Sequence, residues 1–284
     1  MKEVLLISNI DLQSKDILKY ASAFCEAYQL RLHILHFDSQ LDPILISSPR
    51  TYQTMSHDIY NYERKNELIQ KIEEAVAPDM DHDWLSITVN GADVSYNLQR
   101  FIKNREIDLI LLGQSLFTKH FDEIGDDIKK VLTRELKTPM LVIPPFYAFE
   151  PFNRTNYLLK FLNEDNVENI RKVAQWYPDT SIDITQIQEE SRQNHTMKEF
   201  DNWIKYLKSE IDSTIRPVIE EGTLSDFIKR ENNSIVELYD LMVFSTYNRN
   251  FWERITDPSS TLRILSTLAM PALIFKNGKP VSKN

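Results

Sequence analysis

The sequence predicts an α/β protein built twice over, each half a doubly wound parallel sheet with helices on both faces. Three observations carry this. Short apolar runs alternate with segments of helical periodicity in the order βαβαβαβαβ, and that order then repeats. The 284 residues suit two domains of about 150 residues each. A strand, loop, helix, strand unit at 108–145 also returns at 240–276, Asp240 following Asp108 and Pro271 following Pro139 by the same 132 residues. The predicted halves are 1–147 and 154–278.

Within the first copy of that unit, Asp108 opens the apolar run LILL and Gly113 closes it, a buried parallel strand too short for a helix. Ile124, Ile128, Val131, Leu132 and Leu136 then fall at helical spacing behind Asp122, Glu123, Asp126 and Asp127, carboxylates that suit a helix start. Pro139 stops the helix and opens the strand MLVI. The second copy reads DLMVF, a loop, a helix start at Asp257-Pro258-Ser259-Ser260, and ALIF after Pro271. Matches at Asp108/Asp240, Leu109/Leu241, Leu136/Leu268, Pro139/Pro271 and Leu141/Leu273 point to duplication.

Taken in order, VLLIS (4–8) is the first strand, and Ile17, Leu18, Ala21, Cys25 and Tyr28 are one face of the first helix. RLHILHF (31–37) is the second strand. The segment 38–56 is longer than an ordinary α/β connection and reads as a lid or flap, held irregular by Pro43 and Pro49. A charged amphipathic helix follows at 57–77, a strand at 84–89 and a helix at 94–105. After a linker at 145–156, the second half reads YLLKFL (157–162), a helix through Val167, Ile170, Val173, Ala174 and Tyr177, SIDITQI (181–187), a helix at 196–211, TIRPVIE (214–220) and a helix at 224–231. Pro217 marks TIRPVIE as an edge strand.

Composition narrows the function. At 42% hydrophobic and 26% charged the chain is that of an ordinary globular protein. A net charge of -9 argues against nucleic acid and anionic membranes, whose binding rests on clustered Lys and Arg. The single cysteine, Cys25, and the lack of an apolar leader in MKEVLLISNID point to the cytoplasm. Only five glycines occur, where average usage would give about 20, and loops that cradle phosphate need glycine. His33 and His36 fall on opposite faces of a strand, and His57, His82, His120 and His195 show no ligand spacing, so no metal site is expected. No G-x-S-x-G elbow appears.

Strand, ligand loop, helix and Pro-initiated strand, twice, together resemble a tandem universal stress protein. The resemblance implies a Rossmann-like five-stranded parallel sheet of order 3-2-1-4-5 in each half and an internal pseudo-dimer, with the fifth strands MLVI and ALIF facing each other. The ATP-binding members of that family carry G-x2-G-x9-G-S/T after the fourth strand, where amides at a helix N-terminus hold phosphate, and an Asp after the first strand near the adenine. Here Gly113 keeps the first place, Leu116 replaces the second glycine, Asp126-Asp127 replaces the closing pair, and Gly125 sits one position early. Asp11 matches the adenine-side Asp, and Phe37 stands where it would fill the base pocket. In the second half Ser245, Asn248 and Pro258-Ser259 replace the motif and Glu164 the Asp, leaving Ser245, Asn248, Arg249, Arg254, Ser259 and Ser260 as an expected anion site.

The implied function is a non-catalytic stress-response module that binds a protein or small molecule, with degenerate nucleotide pockets and no cofactor. ATP is not expected in the first half, and the second half stays open, as does pairing into a homodimer. Two alternatives are a nucleotide-binding or weakly hydrolysing protein and a purely structural pseudo-dimer.

Overall fold

The computed structural model of the chain describes residues 1–8, 14–38, 40–41, 51–76, 82–91, 93–117, 125, 127–128, 131–132, 137–159, 162–188, 197–231, 238–246 and 267–277. The chain forms two units, residues 1–136 with 145–149 and residues 137–144 with 150–284.

In the first unit β1 (Glu3–Ser8), α1 (Ser14–Ala27), β2 (Arg31–Phe37), α2 (Thr51–Ala75), β3 (Leu85–Asn90), α3 (Val94–Arg105) and β4 (Leu109–Gly113) follow one another. The strands lie in the order β3-β2-β1-β4 and are parallel. The apolar runs are buried because helices cover them: Leu18, Ala21, Phe24 and Cys25 of α1 and Leu98 and Ile102 of α3 point inward. Burial pushes the Cys25 thiol well above its ordinary value, so it behaves as a core hydrophobe. Past β4, Gly125, Asp127, Ile128, Val131 and Leu132 are helical, with the last three buried. Ile124 and Leu136 of the predicted stripe lie outside the described residues.

The second unit holds β5 (Met140–Ile143), β6 (Arg154–Leu159), α4 (Glu164–Trp176), β7 (Ser181–Gln188), α5 (Met197–Glu210), β8 (Ile215–Glu221), α6 (Leu224–Glu231), β9 (Leu241–Thr246) and β10 (Ala272–Lys276). Its sheet order is β5-β10-β9-β6-β7-β8. Strands β6 to β10 are mutually parallel and realise the 3-2-1-4-5 order, with β8 and its Pro217 outermost. Residues 137–144, assigned to the first half from sequence, pack with the second because β5 pairs antiparallel with β10. Leu141 faces Leu273, with Met140 opposite Ile274 and Val142 opposite Ala272. Leu141 and Leu273 are 132 residues apart, so each is the other's repeat counterpart and the strand pair has a local two-fold.

The repeated aspartates have a structural job. The Asp108 carboxylate accepts the N–H groups of Lys2 at 2.7 Å and Glu3 at 3.1 Å. Asp240 does the same for Asn153 and Arg154, both at 2.9 Å. In each unit the residue before the fourth strand thereby ties down the start of the first.

Several predicted boundaries move. Helix α2 starts at Thr51 instead of 57, because nothing after Pro49 interrupts TYQTMS, and the flap shortens accordingly. Strand β6 starts at Arg154 instead of Tyr157 and β3 at Leu85. Thr155 is buried in β6 and shares a 2.9 Å hydrogen bond with Thr180, a polar start that reads as linker in the sequence. Leu41, at the head of the flap, packs against Leu68, Ile69, Ile87 and Val89 of its own unit. Ile44, Leu45 and Ile46 lie outside the described residues.

Candidate functional site

Parallel sheets bind ligands beyond the carboxyl ends of their strands. In the first unit that end is made by Ser8, Phe37, Asn90 and Gly113. Ile7 faces Leu112, which sets Gly113 level with Ser8. A side chain on Gly113 would meet Ile17 Cδ1 of α1 at 3.2 Å and Ser115 Oγ at 3.3 Å, so the glycine's open face is already covered. The loop after it is not an open cradle: Gln114–Phe117 winds into a 3-10 turn that buries Gln114, Leu116 and Phe117. Phe37 is 1% exposed. Gly125 is buried and helical and Asp127 half-buried and helical, which puts the helix start ahead of the expected closing pair. Asp11 and Asp126 lie outside the described residues.

Beside this end the chain after β2 is fastened in place. The Asp38 carboxylate accepts Arg64 Nε of α2 at 2.8 Å and the Gln40 N–H at 3.0 Å, and the Asp38 N–H donates to the Asn90 carbonyl at 3.0 Å. Burial works to raise the Asp38 carboxyl, but the Gln40 amide and the Arg64 guanidinium outweigh it and hold it below the usual range. Leu41 crosses over Gly91 so closely that a Cβ there would lie 2.0 Å from the Leu41 carbonyl oxygen; only glycine fits. The buried His36 imidazole is held neutral, since desolvation lowers its pKa more than the hydrogen bond to the Ser8 carbonyl raises it. That bond, 2.9 Å from Nδ1, requires Nδ1 to carry the proton.

The equivalent end of the second unit has different chemistry. Ser245 stands 132 residues after Gly113 and belongs to a partly buried polar chain. Tyr157 Oη donates to Asn166 Oδ1 at 2.8 Å and pairs with Ser245 Oγ. Asn169 Nδ2 donates to Ser245 Oγ at 3.1 Å and to Asn277 Oδ1 at 2.9 Å. In the first unit the positions of Tyr157 and Ser245 are held by Leu6 and Gly113. Glu164, expected near an adenine, is the exposed first residue of α4, whose cap is Asn163, accepting the Asn166 N–H at 3.1 Å. Asn248, Arg249, Arg254, Ser259 and Ser260 lie outside the described residues.

Of the predicted residues, Phe37, Gly113 and Leu116 belong to the carboxyl ends of β2 and β4 in the first unit, and Ser245 to that of β9 in the second. Sequence reasoning missed Ile17 and Arg64 as parts of the first end and Tyr157, Asn166, Asn169 and Asn277 as parts of the second. The available signal was Asn166 and Asn169, three apart and flanking Val167 and Ile170 on the buried stripe of α4. Among the described residues no group of His, Cys, Asp or Glu is arranged to hold a metal, and no helix is long and apolar enough to cross a membrane.

This geometry defines an open, doubly wound α/β protein in tandem. Two solved structures share it. A universal stress protein from Archaeoglobus fulgidus is 15% identical with a TM-score of 0.63, the match covering 97% of this chain and 98% of that one. A functionally unknown protein from Pseudomonas aeruginosa PAO1 is 15% identical with a TM-score of 0.53, over 97% and 92%. No protein-family model and no curated protein matches the sequence. The chain has the universal stress protein fold, twice.

Proposed function

We propose that this chain is a non-catalytic, tandem stress-response module that works by binding a protein or small-molecule partner in the cytoplasm, and that its first unit binds no ATP. The observation carrying this reading is the loop after β4: Leu116 and Phe117 are buried in a tight turn and Ile17 covers Gly113. A triphosphate needs open glycine amides there. Phe37, on this reading, takes the volume an adenine would use, and the two repeat copies serve each other as a pseudo-dimer through β5 and β10. Any small-molecule ligand belongs to the second unit, where the polar chain through Ser245 replaces apolar contacts.

Calorimetry of the full chain with Mg-ATP tests this. No saturable heat is expected up to about 1 mM nucleotide, the limit of weak binding. A micromolar dissociation constant that survives Ser245→Leu, which blocks the second unit only, overturns the reading for the first unit.

A further inference from the structure

The duplication allows each core position to be compared with its counterpart. Val4 faces Leu109 and Thr155 faces Leu241, so Asn156 of β6 corresponds to Leu5 of β1. Leu32 pairs with Val4 and Ile182 with Thr155, so Thr185 of β7 corresponds to Leu35 of β2. Leu5 and Leu35 are ordinary core leucines, both 0% exposed. The fold therefore needs no polar group at either place. Yet Asn156 is 1% and Thr185 0% exposed, and Asn156 Oδ1, Asn156 Nδ2 and Thr185 Oγ1 have no hydrogen-bond partner in the protein.

These groups are neighbours. Asn156 pairs with Asp183 and Leu158 with Thr185, so Thr185 stands two residues along the adjacent strand and on the same sheet face as Asn156. The obvious acceptor for the Asn156 amide is taken. Asp183 already receives Arg154 Nη2 at 2.7 Å, Tyr239 Oη at 2.9 Å and Arg216 Nε at 2.8 Å. Buried polar atoms are almost always satisfied, by protein or by ordered water, and an internal water needs about two to four polar partners; Asn156 Oδ1, Asn156 Nδ2 and Thr185 Oγ1 offer three on one sheet face. Threonine also carries one heavy atom fewer than the leucine at the counterpart position, which is the size of a water oxygen.

We infer that the second unit holds an internal water-binding site at Asn156 and Thr185, on the sheet face opposite the Tyr157–Ser245 chain, with water bridging Asn156 Oδ1 and Nδ2 to Thr185 Oγ1. Tyr157 precedes no residue of this site on its own face, so the site is separate from the carboxyl-end network. It places water where the first unit has the side chains of Leu5 and Leu35.

A high-resolution crystal structure of the full chain is the direct test. Ordered water within hydrogen-bond distance of both side chains supports the site. A dry contact in which the Asn156 amide bonds protein atoms, or density for a larger molecule, overturns it. Water–protein NOEs on the full chain, with the full-length double variant N156L/T185L, which copies the first unit, as the control, are the second test. Cross-peaks from a long-lived water to the Asn156 side-chain amide are expected in the parent, and water cross-peaks at this part of β6 and β7 are expected to be lost in the variant. Their absence from the parent overturns the site.

Discussion

A carboxylate that accepts two backbone N–H groups makes two charge-assisted hydrogen bonds at once, and its removal loses both. Asp108→Ala and Asp240→Ala are each expected to destabilise the protein by about 1–3 kcal/mol, on the scale of lost charge-assisted hydrogen bonds. Urea unfolding measures this, and the two losses should be similar because the two geometries are. Gly91→Ala is expected to be harsher than an ordinary glycine substitution, since backbone and not a flexible side-chain tip blocks the added methyl. His36 and Asp38 give the first unit an acid limit, and both signs agree. His36 has a folded pKa below its unfolded value, so protonation favours the unfolded chain and stability falls as pH drops below about 6.5, the ordinary histidine value. Asp38 also has a depressed folded pKa; its contribution is present above the unfolded value and is lost as pH falls through the folded one. His36→Gln should remove the upper part of that acid loss in pH-dependent melting curves and leave the lower part. An unchanged profile in the variant would remove His36 as its source.

At the scale of elements, the strands and helices with clean periodicity were legible in the residues. RLHILHF and the helix at 94–105 lie where the pattern puts them, because their apolar residues alternate or recur as the fold requires. What the pattern hid was polar material doing core work. The β6 start is Arg-Thr-Asn, and α4 carries Asn166 and Asn169 on its buried side; polar side chains that pair inside the fold, as Thr155 does with Thr180 and Asn166 with Tyr157, or that lie buried without a protein partner, as Asn156 does, leave no hydrophobic trace. The carboxyl-end site was half legible for the same reason. Motif spacing located Gly113, Leu116 and Ser245, but Ile17, Arg64 and Tyr157 come from elements distant in sequence. The β5–β10 pair, by contrast, was readable from the repeat offset together with the family resemblance. Leu141→Ala and Leu273→Ala remove matching, fully buried side chains from facing positions, and each is expected to cost about 2–5 kcal/mol in denaturant unfolding.

For the molecule as a whole, duplication conserved the frame and changed the fillings. The same strand starts are tied by Asp108 and Asp240, while the side chains paired across the first two strands differ. Glu3 of β1 contacts His33 of β2 at 2.7 Å, and at the counterpart positions Arg154 contacts Asp183 at 2.7 Å. The frame also has a boundary to protect. Strand β8 ends the second unit's sheet, and its seven residues carry a proline at Pro217. An outermost strand offers unpaired amides that another chain can copy onto, and proline deletes one of them. Pro217→Val therefore should not weaken the fold so much as make it sticky: the expected result is concentration-dependent light scattering from a variant whose melting temperature is unchanged. Pro217 would then be the residue that keeps the second unit's sheet from taking on a strand of another copy.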